Sequence, residues 1–230
     1  MDYTKLLAGK RAVVLNGDDA LGQAIVQLFS QQGASVAFGL RDPLASRSFQ
    51  EDICNSSPES FAHPVDLADA ASIEEFCAAI KARWPLVHVL VNNPFSDGPQ
   101  ALEHTTDADD AQLLQIYQHS AVQTFRAFWP AMITTCSGCS IINISSTTVH
   151  EPMPGQLMHT MANGTLGGMT RVPAVEGGIH EVRVNEIYAG HTAHRDTQGI
   201  ARTALFLACD MASYVSGASI RVGAPFSRPL

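Results

Sequence analysis

The sequence predicts a single α/β domain: a parallel sheet of about seven strands with helices on both faces. Two observations carry this. Short β-branched runs alternate with helix-length segments along the whole chain. A length of 230 residues with 46% apolar content builds one large core, and no linker-like or low-complexity stretch divides it, so residues 1–230 are read as one domain.

The elements follow in order. A strand at Arg11–Leu15, a helix from about Leu21 to Gln32 and a strand at Ser35–Phe38 make a βαβ unit. A third strand precedes "VDLAD" at Val65–Asp69, and a helix near Ala71–Trp84 leads to the strand "VHVLV". A long helix over about Asp109–Met132 precedes the strand "SIINI". A helix near Gln156–Glu176 then leads to "VRVNEI", and a helix near Gln198–Leu207 to the final strand "SIRV". Such an alternation is doubly wound and Rossmann-type, with its ligand sites outside the carboxyl ends of the strands. Pro173 is expected to end or kink its helix, and Gly164, Gly167 and Gly168 to weaken it.

Charge and composition exclude several classes. The formal charge of -8 comes from scattered carboxylates with no Lys/Arg run, which argues against nucleic acid and anionic membranes as partners. No apolar stretch approaches a membrane span and the first residues lack a signal-peptide pattern, so a cytoplasmic location is expected. Five cysteines, an odd and scattered count, fit reduced thiols. "CSGC" at Cys136–Cys139 has no second pair and is read as a loop rather than a metal or redox site. His150, His159, His191 and His194 lack a carboxylate or thiol at ligand spacing, so no metal is expected.

Six segments fall in the order and spacing of one family: "NGDDALGQAI", "VDLAD", "LVNNP", "IINISS", "RVNEIYAG" and "FLACDMASYVSGASIRV". Together they cover nearly the whole chain, and the sequence resembles the short-chain dehydrogenases/reductases. That resemblance implies a nicotinamide dinucleotide held by a Gly-rich loop after the first strand, with a Ser, Tyr, Lys and Asn performing proton transfer.

The chain departs from this pattern at three places. In the loop, Gly17 and Gly22 remain, but the turn is one residue short, Ala20 replaces the middle glycine, and Asp18 and Asp19 are inserted. Two carboxylates aimed at a diphosphate repel it by roughly a kcal/mol each, while being favoured at the positive end of a helix dipole. Arg41, Asp66 and Asn92 remain where the resemblance places an NADP-reading arginine and adenine-framing residues. At the catalytic positions Ser146 keeps the Ser, but His159 replaces Tyr, Asn163 replaces Lys and Tyr117 replaces Asn. A phenol with pKa near 10 needs a neighbouring cation to work, whereas an imidazole is driven away from its charged form by one, so losing Tyr and Lys together is self-consistent. After Ala189 and Gly190 the next helix arrives within about ten residues, leaving no room for a substrate lid.

The expectation is a catalytically inactive subunit that binds no cofactor. It would support an active NAD(P)-dependent short-chain alcohol dehydrogenase, of which hydroxyacyl-CoA enzymes are one class, in a heterodimer or heterotetramer; a homo-oligomer is the other assembly. Leu114, Ile116, Val122, Phe125, Phe128 and Trp129 on the long helix are more apolar surface than its core face needs; half of them are read as core, and the remainder, with the helix near Gln156–Glu176, as the expected interface. A second reading keeps chemistry: Ser146 and His159 as nucleophile and base of a dehydratase, hydrolase or dehalogenase-like enzyme. Against it, spacing identifies neither a group to orient the imidazole nor an oxyanion hole.

Overall fold

The computed structural model describes residues 5–94, 100–135, 137–190 and 197–223. Seven strands form one sheet: β1 (Arg11–Val14), β2 (Ser35–Leu40), β3 (Phe61–Pro64), β4 (Val89–Asn92), β5 (Cys139–Ser146), β6 (Val182–Ala189) and β7 (Ser219–Val222). Their order across the sheet is β3-β2-β1-β4-β5-β6-β7, every pair parallel. The chain winds outward from β1 to β3, then returns to continue on the other side from β4. The boundary between β1 and β4 is therefore the switch point, where two connections leave the sheet in opposite directions and open a crevice.

Helices cover both faces. Helices α1 (Ala20–Gln31), α2 (Arg47–Ser56) and α7 (Thr197–Ala208) pack over one apolar layer with Val14, Phe38 and Ile187 at its centre. Helices α3 (Ala70–Arg83), α5 (Ser120–Thr135) and α6 (Leu157–Gly178) cover the other, around Leu90, Ile141 and Val184. The alternation of buried side chains to the two faces explains why the central strands read as continuous apolar runs.

The long helix expected over Asp109–Met132 is present and runs without a break from Asp107 to Thr135, with a π-turn at Gln115–His119 inside it that separates α4 (Asp107–Leu114) from α5. A capping box of Thr106 and Asp109 starts α4. The six apolar residues read as part core and part interface divide in their burial. Ile116 and Phe128 are buried, while Leu114, Val122, Phe125 and Trp129 are half-buried, with Phe125 and Trp129 packed against the core. Trp129 reaches across to α6, where a Cβ on Gly177 would come within 2.9 Å of its ring.

Pro173 does not break α6, which runs unbroken through it and the three glycines. Proline removes the hydrogen bond to the carbonyl four residues earlier, that of Met169. The side-chain amide of Asn143 on β5 lies 3.5 Å from that oxygen and 3.0 Å from Thr170 Oγ1, so a neighbouring strand supplies the missing donor. Cys139 is disulfide-bonded, against the expectation of reduced thiols, whereas Cys54, Cys77 and Cys209 are free. No helix among the described residues is long and apolar enough to cross a membrane.

Candidate functional site

At the switch point lies a cavity of about 540 Å³. Its walls come from Asn16 after β1, Leu40 and Arg41 at the end of β2, and Pro64 to Ala68 after β3. Asp109, Gln112 and Leu113 of α4, Ile116, and Met158 and His159 of α6 close it from the other side.

The turn between β1 and α1 is held by the chain's own polar groups. Asn16 takes a left-handed backbone conformation (φ 48°), which asparagine tolerates better than most side chains. Its amide donates to the Asn93 carbonyl at 2.9 Å. Gly22 is obligatory here, because a Cβ would overlap the Asn16 carbonyl oxygen. Gly17 sits against Phe38, and its N–H donates to the Gly39 carbonyl at 2.7 Å.

Asp19 is the N-cap of α1: its carboxylate accepts from the Gly22 amide and, at 3.2 Å, from the Asn93 side chain. Helix N-termini attract anions because their first N–H groups lack partners and the dipole is positive there. In this chain a carboxylate already occupies that position. Ala20 is exposed as the first residue of the helix. Asp18 does the same at the β2–α2 turn, its Oδ2 accepting from the backbone amides of Arg41 (2.8 Å) and Asp42 (2.9 Å).

Of the residues expected from sequence to frame a ligand, Arg41 and Asp66 line the cavity. Asn92 does not. It is buried within the sheet, donating to Asn143 Oδ1 at 2.8 Å and accepting from Thr124 at 3.0 Å, and it ties β4 to β5 and α5. Its neighbour Asn93 faces the turn instead and bridges Asn16 and Asp19. Sequence reasoning missed Asn93, because β4 ends at Asn92 and only the tertiary approach of the β1–α1 turn shows which of the two neighbouring asparagines meets the crevice.

The four catalytic positions are divided in the same way. His159 lines the cavity. Ser146 caps the short turn after β5, its hydroxyl accepting from the Thr148 amide at 3.2 Å. Asn163 is buried and its amide folds back on the preceding turn of α6, donating to the His159 carbonyl at 2.8 Å. Tyr117 is buried in the core within the π-turn. Among the described residues, none of these three belongs to the cavity wall.

Two buried polar features were not read from sequence. Glu186 is fully buried and accepts from Ser145 (2.7 Å) and Ser219 (2.8 Å), fastening β5, β6 and β7. The Thr148 hydroxyl is buried with no hydrogen-bond partner among the described residues. The described residues assemble no group of three His, Cys, Asp or Glu that would hold a metal ion, and His191 and His194 lie outside them. The lid position, residues 191–196, is also outside the described residues, and α7 starts directly after it at Thr197.

Residues 17–200 match the family model described as enoyl-(acyl carrier protein) reductase. The chain is 26% identical to a 3-oxoacyl-(acyl-carrier-protein) reductase of Chlamydia muridarum, over 94% of this chain and 97% of that one. It is 30% identical to a probable galactose dehydrogenase of Rhizobium meliloti, over 80% of this chain and 72% of the other. Among solved structures, an NADPH-bound short chain oxidoreductase of Pseudomonas aeruginosa containing an atypical catalytic center superposes with a TM-score of 0.87 at 25% identity, covering 97% and 99% of the two chains. A short-chain dehydrogenase/reductase of Burkholderia xenovorans gives 0.84 at 28% identity, with 95% and 96% covered.

Proposed function

The chain belongs to the short-chain dehydrogenase/reductase family of oxidoreductases, and we propose that within it this protein is a non-catalytic member that refuses the dinucleotide and serves as the structural subunit of an active relative. One observation carries the reading. The two groups of backbone N–H donors best placed to hold an anion beside the cleft, at the start of α1 and after β2, are bonded to the Asp19 and Asp18 carboxylates.

A dinucleotide does not fit this arrangement. Its diphosphate would have to displace Asp19 from the helix cap, uncover the Asn93 amide, and then lie within a few Å of two carboxylates with no new cation to offset them. The catalytic positions add to this without deciding it, since the Pseudomonas protein pairs an atypical centre with bound NADPH. What weighs more here is the loop. Asn163 supports the reading further: its side chain is spent on its own helix, where a cation would be needed to lower the pKa of a proton donor.

The assembly surface supports the subunit role. Leu157, Met161, Gly164, Gly168, Val172 and Val175 on α6 and Ile179 at its C-cap are separated by four, three, four, four, three and four residues, which puts them on one stripe. All seven are exposed, Val175 at 80% and Ile179 at 85%. The two glycines have open space where a Cβ would stand, so another helix can approach closely. An active family member is the partner that this surface is read to take.

Calorimetry with NADH and NADPH, followed by co-purification from the native source with native mass spectrometry, tests the proposal. Micromolar affinity for either dinucleotide ends the first half. A lone monomer at micromolar concentration ends the second.

A further inference from the structure

A cleft that turns away a dinucleotide is nevertheless open, at a volume in the range of small-molecule sites. We infer that the cleft is a binding site for a phosphate-free molecule of nucleoside size, neutral or cationic, and that Asp18 and Asp19 exclude the phosphorylated forms of the same molecule. The inference rests on the reading that the loop carboxylates block the dinucleotide and adds what the remaining space accepts.

The walls describe the ligand. Leu40, Leu113, Ile116 and Met158 offer apolar surface to a flat or aliphatic body. On the polar side stand two carboxylates, Asp66 and Asp109. Asp66 uses Oδ1 for the Ala68 amide at 2.9 Å. Hydrogen bonds from the Thr106 hydroxyl and amide hold the Asp109 carboxyl below its usual range, so it is charged at neutral pH.

Charge adjacent to the cavity repeats the sign. Asp18 meets the wall at Arg41 through the backbone amide, and Asp19 meets it at Asn16 through Asn93. Arg41 is the single Lys or Arg among the described lining residues, set against these four carboxylates. A hydroxyl or ammonium donor is matched by such a site, whereas a phosphate finds the nearby amide donors taken and like charge around it.

The test is a charge series on one scaffold: 5′-amino-5′-deoxyadenosine, adenosine and adenosine 5′-monophosphate, each titrated into the full chain by calorimetry and ligand-observed NMR. The amine and adenosine should bind, and the monophosphate should be weaker by about tenfold or more. Replacing both carboxylates by asparagine, Asp18→Asn with Asp19→Asn, keeps side chains able to cap and should narrow that gap. Gln112→Trp, at an exposed α4 position on the cavity wall, should abolish binding of all three while the fold persists by circular dichroism. The inference is overturned if none of the three binds at millimolar concentration, if the monophosphate binds as tightly as the amine, or if Gln112→Trp leaves binding unchanged. A parallel NADH titration separates the two ideas: NADH bound at micromolar affinity removes the parent reading, whereas NADH and all three adenosine compounds unbound removes this inference alone.

Discussion

Asp18 Oδ2 stands 2.8 Å from the backbone nitrogen of Arg41, so a side chain from the loop after β1 completes the turn after β2. The carboxylates of this loop have thereby become structural. Asp19→Ala removes the α1 cap and should lower stability by about 1 kcal/mol, whereas Asp19→Ser, which can still cap, should lose only part of that. Neither variant should gain affinity for NADH while Asp18 remains. Urea denaturation and calorimetry on the same samples check both statements, and an Asp19→Ala protein as stable as the parent would show that the cap contributes nothing.

Restoring the missing proton-transfer pair should not restore reduction. With His159→Tyr and Asn163→Lys combined, the loop still lacks a place for the cofactor, and groups that act as a unit do not contribute one by one. There is also a folding cost. Position 163 is 2% exposed, so an ammonium placed there loses the His159 carbonyl bond geometry and is desolvated, which should destabilise the protein by roughly 1–3 kcal/mol. Ketone reduction by the double variant above the background of the parent protein contradicts this expectation.

Much of the fold was legible because β-branched runs and short turns are local signals. The last strand, Ser219–Val222, was read to the residue, and the α1 and α3 boundaries were read within one. Helix α2 was not read, since Ile53 is its one buried residue and an exposed helix carries little apolar periodicity. The passage of α6 through Pro173 was invisible for a different reason: its support comes from Asn143, thirty residues earlier and on a strand. Site reading had the same limit. Residue types at Asp18 and Asp19 announced a hostile loop, but which amides they take, and that Asn93 rather than Asn92 joins them, depends on tertiary approach.

The buried Thr148 hydroxyl offers a test of stability near Ser146. An orphaned polar group costs its desolvation without return, and valine has nearly the same shape. Thr148→Val should therefore raise stability by roughly 1 kcal/mol in thermal or urea unfolding. A lower stability would mean that the hydroxyl is used after all, and the orphan would have to be reassigned as a contact.

Alkaline pH should act through Cys77. Burial raises its thiol pKa from 9.0 to about 12, with Lys81 opposing the shift. Because the folded value lies above the unfolded one, the contribution is fully present below about pH 9 and is lost as pH rises toward 12. Across that window the unfolded chain releases a proton that the folded chain retains, a slope of up to about 1.4 kcal/mol per pH unit. Cys77→Ala should be less stable at neutral pH yet show a flatter decline between about pH 9 and pH 11, measured by urea unfolding against the parent. Equal slopes in the two proteins would place the alkaline sensitivity elsewhere.

The α6 stripe decides the subunit reading. Trp129, the aromatic expected at an interface, is half-buried against Gly177 and would damage the core if charged. Val175 and Ile179 are exposed at 80% and 85%, so aspartate there should leave the isolated fold within about 0.5 kcal/mol. If α6 packs against a partner, the same substitutions bury a charge without a counter-ion and should dissociate the complex. The expected complex buries more than about 1,200 Å², and its active member should lose solubility or activity when expressed without this chain. Co-expression should rescue that member even when this chain carries His159→Ala, because no catalytic group is supplied in trans. Native mass spectrometry of the parent and of the Val175→Asp, Ile179→Asp variant reads the outcome directly: the subunit role fails if both give the same species, or if rescue depends on His159.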